Sequence, residues 1–148
     1  MLKPNIDFQS MIDHADRAVT TLSPDEVNNR LNQADVLLVD IRDIRELQKE
    51  GRVPGSKHIP RGMLEFWIHP GSPYFKDYFK DVAEVILYCS RGWRSALAAK
   101  ALKDIGIEVA HMEGGFTLWQ ETELPVEPLP EKKSWTINIE NCRLKPIL

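Results

Sequence analysis

Cysteine is nearly absent from this chain. Two occur in 148 residues, Cys89 and Cys142. That is too few for a disulfide framework, and neither has a second cysteine at the short spacing of a thiolate zinc site. In a reducing compartment both are thiols. An excess of positive charge is also missing. The net charge of −3 gives no global argument for nucleic acid, so any cationic function must be local. No apolar run approaches the roughly 18 residues that a membrane helix needs. The opening stretch MLKPNIDFQSMIDHADRAV has acids and polar groups where a secretory leader would carry its apolar core. The expectation is a cytoplasmic protein with no membrane and no nucleic-acid partner. The four histidines, His14, His58, His69 and His111, are scattered with no pair at ligand spacing. They read as surface or ordinary hydrogen-bonding side chains, with no metal site and no cofactor expected.

What the chain does have suits one globular domain, at 43% hydrophobic and 28% charged residues. Apolar positions at Ile6, Met11, Ile12, Ala15 and Val19 predict an amphipathic helix over 5–19. Ser23, Pro24 and Glu26 form the pattern of a capped helix start, predicting a helix over 24–32. Val36–Val39 reads as a strand buried on both faces, ended by Asp40. A short helix closed by Gly51, a turn at Pro54-Gly55 and a brief strand at KHIP follow. RGMLEFWIHPG predicts a short apolar helix, and SPYFKDYF another helix or an ordered loop. EVILYC, 84–89, is the second clear strand; 94–105 is a helix ended by Gly106; EVAHME is the third strand; GGFTLWQET begins a last helix. After Leu124 prolines cluster, and the alternation of Trp135, Ile137 and Ile139 predicts a terminal edge strand. Alternating strands and helices predict an α/β fold with a mostly parallel sheet. In such sheets ligands bind beyond the carboxyl ends of the strands, which is where Cys89 stands.

The segment CSRGWRS, Cys89 to Ser95, joins that strand to the next helix. A thiol is a weak nucleophile until it becomes a thiolate. Three features of this loop favour the charged sulfur: the unpaired N–H groups at the start of the following helix, the nest of N–H groups that a tight loop can turn inward, and the guanidinium groups of Arg91 and Arg94. Gly92 supplies the backbone freedom of a tight loop, and the Ser95 hydroxyl can cap or donate into it. Trp93 is either a partly buried anchor or a wall of the pocket mouth. No histidine or aspartate neighbours the cysteine in sequence to act as a base. The cup must then make the thiolate by itself, which suits a reaction in which sulfur accepts an atom that brings its own leaving group. A free cysteine ending a buried strand is more often a small core residue, but an arginine–glycine–arginine loop closes a core poorly.

Here the sequence resembles the rhodanese family of sulfurtransferases. CSRGWRS resembles the family's active-site loop of cysteine, four residues, arginine and serine. VLLVDIRDIREL is similar to its first-strand signature, with Asp40 and Arg42 after a hydrophobic strand. GRVPGSKHIP resembles the next signature, usually written with a histidine before isoleucine-proline-glycine; Arg52-Val53 stands in that place here. MEGGFTLW resembles the glycine-pair segment that ends the domain. The resemblance covers residues 20–125, leaving extensions at 1–19 and 126–148.

The resemblance implies a rhodanese-like α/β fold with about five central strands flanked by helices. It also implies a two-step reaction. Cys89 takes the outer sulfur of a donor such as thiosulfate to form a persulfide, and a thiophilic acceptor, cyanide or a thiol, removes it. Ser90, Arg91, Gly92, Trp93, Arg94 and Ser95 are then the substrate-binding loop, and Asp40 and Arg42 structural supports. Two alternatives stand beside this. One is a phosphatase or arsenate reductase on the same scaffold; the related cell-division-cycle phosphatases use one more residue between cysteine and arginine than the four here. The other is a non-catalytic sulfur-carrier or interaction module. Cys142 is read as an incidental thiol, with a resolving role as the alternative. The extensions could pack on the body or on a second copy, so a homodimer is an open expectation.

Overall fold

The structure, a computed structural model, describes residues 1–130, 135–138 and 143–146. Helix α1, Phe8–Ala18, starts where the Asp7 carboxylate accepts the Ser10 N–H at 2.9 Å. Strand β1 is Thr20–Leu22. Helix α2, Pro24–Arg30, has the full capping box: Ser23 Oγ accepts the Glu26 N–H and Glu26 accepts the Ser23 N–H. Strand β2, Val36–Asp40, leads to α3, Ile44–Glu50, capped in the same way by Asp43 and Glu46. Gly51 closes α3 at φ 82°, a left-handed value, and its missing Cβ leaves room for the Glu127 carbonyl. Then come β3, Lys57–His58, and α4, Leu64–Ile68, with a 3-10 turn at Arg61–Met63 before it and another at Asp77–Phe79 after it. The second half runs β4, Glu84–Tyr88; α5, Trp93–Asp104; β5, Ala110–Met112; and α6, Gly115–Glu121.

Strands one to five form a single parallel sheet in the order β1-β5-β4-β2-β3. The continuous apolar runs of β2 and β4 are explained by their central position. Val39 and Leu87 face one core with Ile59, Leu64, Ala99 and Leu102, while Leu38, Ile86 and Tyr88 face the other with Val27, Phe116 and Trp119. Alternate residues thus fill opposite faces, and no position is left to be polar. Asp40 and Tyr88 are register partners, so the carboxyl ends of β2 and β4 lie side by side. Cys89 is the next residue along.

Most expected elements are present within one to three residues. The strand at 84–89 stops at Tyr88, which puts Cys89 in the loop rather than in the ladder. The edge strand β1 was not expected: three residues long with two of them exposed, it carries no hydrophobic signal. The alternating tail is not an edge of the main sheet. Trp135–Asn138 (β6) and Arg143–Pro146 (β7) pair antiparallel as a separate two-stranded sheet. Ile139 and Cys142 lie outside the described residues. The proline-rich stretch before them is anchored: Arg52 and Glu127 exchange both backbone hydrogen bonds, at 2.8 and 2.9 Å.

Candidate active site

The loop after β4 folds around one sulfur atom. Cys89 Sγ accepts the Gly92 N–H at 3.1 Å and the Ser95 N–H at 3.4 Å, and its thiol lies 3.5 Å from Ser95 Oγ. Gly92, at φ 90°, turns the chain into α5, so the donors come from the first turn of a helix where N–H groups have no internal partner. A charged sulfur gains more from such donors than a neutral one. Cys89 is 1% exposed yet lines a cleft of about 290 Å³ together with Glu46, Ser90, Arg91, Trp93 and Arg94. Cys89 therefore belongs to the buried core behind the loop and also lines the floor of the cleft. A larger, mostly apolar cleft, about 700 Å³, lies at the amino ends of β4 and β5, bounded by Phe75, Phe79, Val85 and Val109; no cysteine, serine, threonine or histidine lines it.

The glycine pair before α6 holds the loop from behind. Phe116 N–H donates to the Cys89 carbonyl at 2.8 Å and Thr117 N–H to the Ser90 carbonyl at 3.0 Å. Gly115 makes this approach possible: a Cβ there would stand 2.4 Å from the Cys89 carbonyl oxygen and 2.6 Å from the Ser90 carbonyl carbon, at a φ of 58°. The sequence showed the pair only as a motif. Its physical reason is a backbone-to-backbone contact between the end of one βα unit and the start of the next.

The two arginines differ. Arg94 makes a bidentate pair with Glu46 of α3, at 2.8 and 2.9 Å. That hydrogen bond holds the Glu46 carboxyl below the usual carboxylate range and raises the Arg94 guanidinium. The sequence did not single out Glu46; its pairing with Arg94 depends on α3 lying beside α5, which spacing does not reveal. Arg91 makes no ion pair among the described residues and reaches the same cleft. The two guanidinium groups are thus not equivalent in the structure: Arg94 shares its charge with a carboxylate, whereas Arg91 lines the cleft without one among the described residues. Trp93, 43% exposed, packs edge-on against Phe8 of α1 with ring centroids 5.1 Å apart.

Asp40 and Arg42 do not line the cleft. Both are fully buried and paired at 2.8 Å. Arg42 also donates to the Gly51 carbonyl at 2.8 Å and to Glu50 at 3.2 Å, and its guanidinium lies 4.2 Å above the Phe116 ring. The pair links the end of β2 to the end of α3 and props the helix that backs the cysteine loop.

One group beside the site was read in the sequence only as a surface or ordinary hydrogen-bonding histidine. His111 of β5 is 1% exposed, with Nδ1 2.9 Å from Ser95 Oγ and Nε2 2.8 Å from Asp16 Oδ1 of α1; Thr21 Oγ1 of β1 is 3.2 Å from the same Nε2. Burial lowers this imidazole below its ordinary value, and Asp16 opposes the shift. Its partners lie 16 and 95 residues away in the chain, so no local pattern joins them. The available signal was a polar residue in the middle of an otherwise apolar strand. Among the described residues no three His, Cys, Asp or Glu side chains come together as metal ligands, and no helix is long and apolar enough to cross a membrane.

The model of the rhodanese-like domain matches residues 23–122. The chain belongs to the rhodanese-like domain family. Among its relatives is a thiosulfate sulfurtransferase, GlpE, of Glaesserella parasuis, 31% identical over 109 residues that cover 73% of this chain and 93% of the relative. Two solved structures extend the comparison. A Rhodopseudomonas palustris protein of unknown function, described as a possible tyrosine phosphatase, is 42% identical with a TM-score of 0.79 and covers 86% of this rhodanese-like chain and 98% of its own. The polysulfide-sulfur transferase homodimer of Wolinella succinogenes is 28% identical with a TM-score of 0.64, covering 82% of this chain and 88% of its own. Rhodanese-like relatives with sulfur-transferring names therefore match at low identity and high coverage.

Proposed function

We propose that the chain is a sulfurtransferase in which Cys89 carries a sulfane sulfur as a persulfide. The observation that carries this reading is the pair of N–H donors from Gly92 and Ser95 converging on a sulfur at the floor of a small cleft. In the first step the Cys89 thiolate attacks the outer sulfur of thiosulfate. The new S–S bond forms as the old one breaks, and sulfite leaves with the bonding pair. In the second step cyanide or a thiolate attacks the outer sulfur of the persulfide, and Cys89 leaves as the thiolate. This is covalent double displacement with no redox co-reactant. Arg91 attracts the anionic donor, and the N–H groups of the loop meet the negative charge on the outer sulfur. The cysteine must stay reduced between turnovers, which a cytoplasmic setting would provide.

Intact mass spectrometry tests it. After thiosulfate the protein gains one sulfur, about 32 Da, which cyanide removes and which Cys89→Ser abolishes. No gain from thiosulfate, polysulfide or glutathione persulfide overturns the reading. A second reading, a phosphatase, is favoured by one observation, the 42% identical neighbour described as a possible tyrosine phosphatase. Against it, only Ser90 to Trp93 separate Cys89 from Arg94, and a phosphoryl group needs a wider ring of donors than one sulfur atom. Steady turnover of an aryl phosphate, lost in Cys89→Ser, would reverse the order of the two.

A further inference from the structure

The cysteine loop has no base beside it in sequence, but the fold brings one to it. We infer that Asp16, His111 and Ser95 form a hydrogen-bonded chain that takes the Cys89 thiol proton and holds it on His111 while the sulfur acts as nucleophile. The inference rests on Cys89 being the nucleophile, whatever atom it accepts.

The polarity of the chain follows from its outer end. A carboxylate can only accept, so the 2.8 Å contact to Asp16 places the hydrogen of neutral His111 on Nε2. Thr21 Oγ1, 3.2 Å from the same nitrogen, can share that hydrogen. Nδ1 then carries a lone pair and accepts the Ser95 O–H at 2.9 Å. The Ser95 oxygen in turn accepts the Cys89 S–H at 3.5 Å. Every link points from sulfur toward imidazole. When the thiol proton passes to Ser95 Oγ, the serine's own proton passes to Nδ1. The products are a thiolate that accepts the Ser95 O–H, and an imidazolium that donates to Ser95 through Nδ1 and to Asp16 through Nε2. One S–H bond is broken and one N–H bond is made, with no change in total charge.

The surroundings fit a group that alternates between these states. The charged and titratable groups around His111 are Asp16 on α1, Glu113 just beyond β5, and Cys89 through Ser95; β1 presents only the Thr21 hydroxyl. Both carboxylates favour the imidazolium, and burial disfavours it, so the imidazole rests neutral and ready to accept. A histidine kept only for packing needs no carboxylate on its far nitrogen. Asp16 belongs to α1, outside the residues that match the family, and α1 is fixed at the site by the Phe8–Trp93 contact. His111 and Asp16 act through Ser95 and are positioning residues; of these three side chains only that of Ser95 reaches the sulfur.

The test reads the thiol rather than sulfur transfer. Iodoacetamide alkylation of Cys89 is followed by peptide mass spectrometry across the pH range in the full chain. His111→Asn keeps a hydrogen-bonding amide near the Nδ1 position but cannot take a proton. It is expected to slow alkylation about tenfold near about pH 6, and to leave the rate above about pH 9 within about twofold. Asp16→Asn, at a half-exposed site that tolerates the change, should give about a threefold loss in the same low-pH window. Restoring an acid with Asp16→Glu should recover most of it. Profiles that superimpose on the wild type overturn the inference. So does a loss by the same factor at every pH, which would mark a structural role. A shifted profile in a protein that never gains sulfur would keep the relay and remove the sulfurtransferase reading instead.

Discussion

Replacing Gly115 by alanine is expected to unfold part of the site from the back, and its cost can be worked from two separable sources. The first is backbone: Gly115 has φ 58°, which an L-residue occupies at a cost of roughly 1–2 kcal/mol. The second is space: the new methyl would stand 2.4 Å from the Cys89 carbonyl oxygen and 2.6 Å from the Ser90 carbonyl carbon. Neither neighbour is the end of a flexible side chain. Both are backbone of the cysteine loop, so the loop and α6 must separate. That strains or breaks the Phe116–Cys89 and Thr117–Ser90 hydrogen bonds, and relieving such overpacking costs about 1–3 kcal/mol. The sum is about 2–5 kcal/mol, or a melting temperature lower by about 5–15 °C for a domain of this size. Two other glycines separate the sources. Gly106 has φ 85° with nothing within 4 Å of a built Cβ, so its alanine variant carries the backbone cost alone. Gly62 has ordinary φ and the same open space, so its variant should be neutral within about 0.5 kcal/mol. Urea unfolding gives the three differences, and persulfide formation by intact mass gives the state of the loop. Gly115→Ala should also load sulfur at least about tenfold more slowly where it remains folded. If Gly115→Ala matches Gly106→Ala in both measurements, the close contact between α6 and the cysteine loop does not govern the site.

Two further predictions concern the cleft. Arg91→Ala should raise the KM for thiosulfate about tenfold while changing turnover of an uncharged sulfane donor less than about twofold; equal effects on both donors would remove its role in recognising charge. Glu46→Gln removes the only carboxylate lining the cysteine cleft among the described residues and leaves Arg94 unpaired, so the KM for thiosulfate should fall about threefold. The same variant has a pH signature. The Glu46 carboxyl is held below its ordinary value of 4.5 by Arg94, so its stabilisation is fully present above that value and is lost as the pH falls through the lower folded one. Wild type should therefore lose more stability than Glu46→Gln on acidification below about pH 4.5, read as melting temperature against pH; parallel curves would refute it.

The layered fold was legible because its signals are local. Val36–Val39 and Val85–Tyr88 are unbroken apolar runs too short for helices, Ser23-Pro24-Asp25-Glu26 is a complete helix start, and the cysteine loop keeps its spacing within seven residues. Strand β1 was not legible, since Thr20 and Thr21 are polar, largely exposed residues with no hydrophobic signal and its pairing partner is 90 residues away. The site divided along the same line. The N–H donors of Gly92 and Ser95 follow from the loop being a strand-to-helix turn. The Glu46–Arg94 pair, the separation of Arg91 from Arg94, and the contacts of His111 depend on which helix lies beside which. Asp40 and Arg42 could be identified as a pair, but that both are fully buried needed the Phe116 ring and the α3 terminus to be in place.

The short strand β1 has a cost for anyone who trims this protein. The family match begins at residue 23, one residue after β1 ends. A fragment cut there would leave β5 as an unguarded rim, its outward N–H and C=O groups open to any extended chain that passes. It would also strip Asp16 and Thr21 from His111 and the Phe8 ring from Trp93. The first two dozen residues thus act as both a guard strip and a back wall, and a fragment cut at the start of the family match would be stickier and less complete than the chain from which it came.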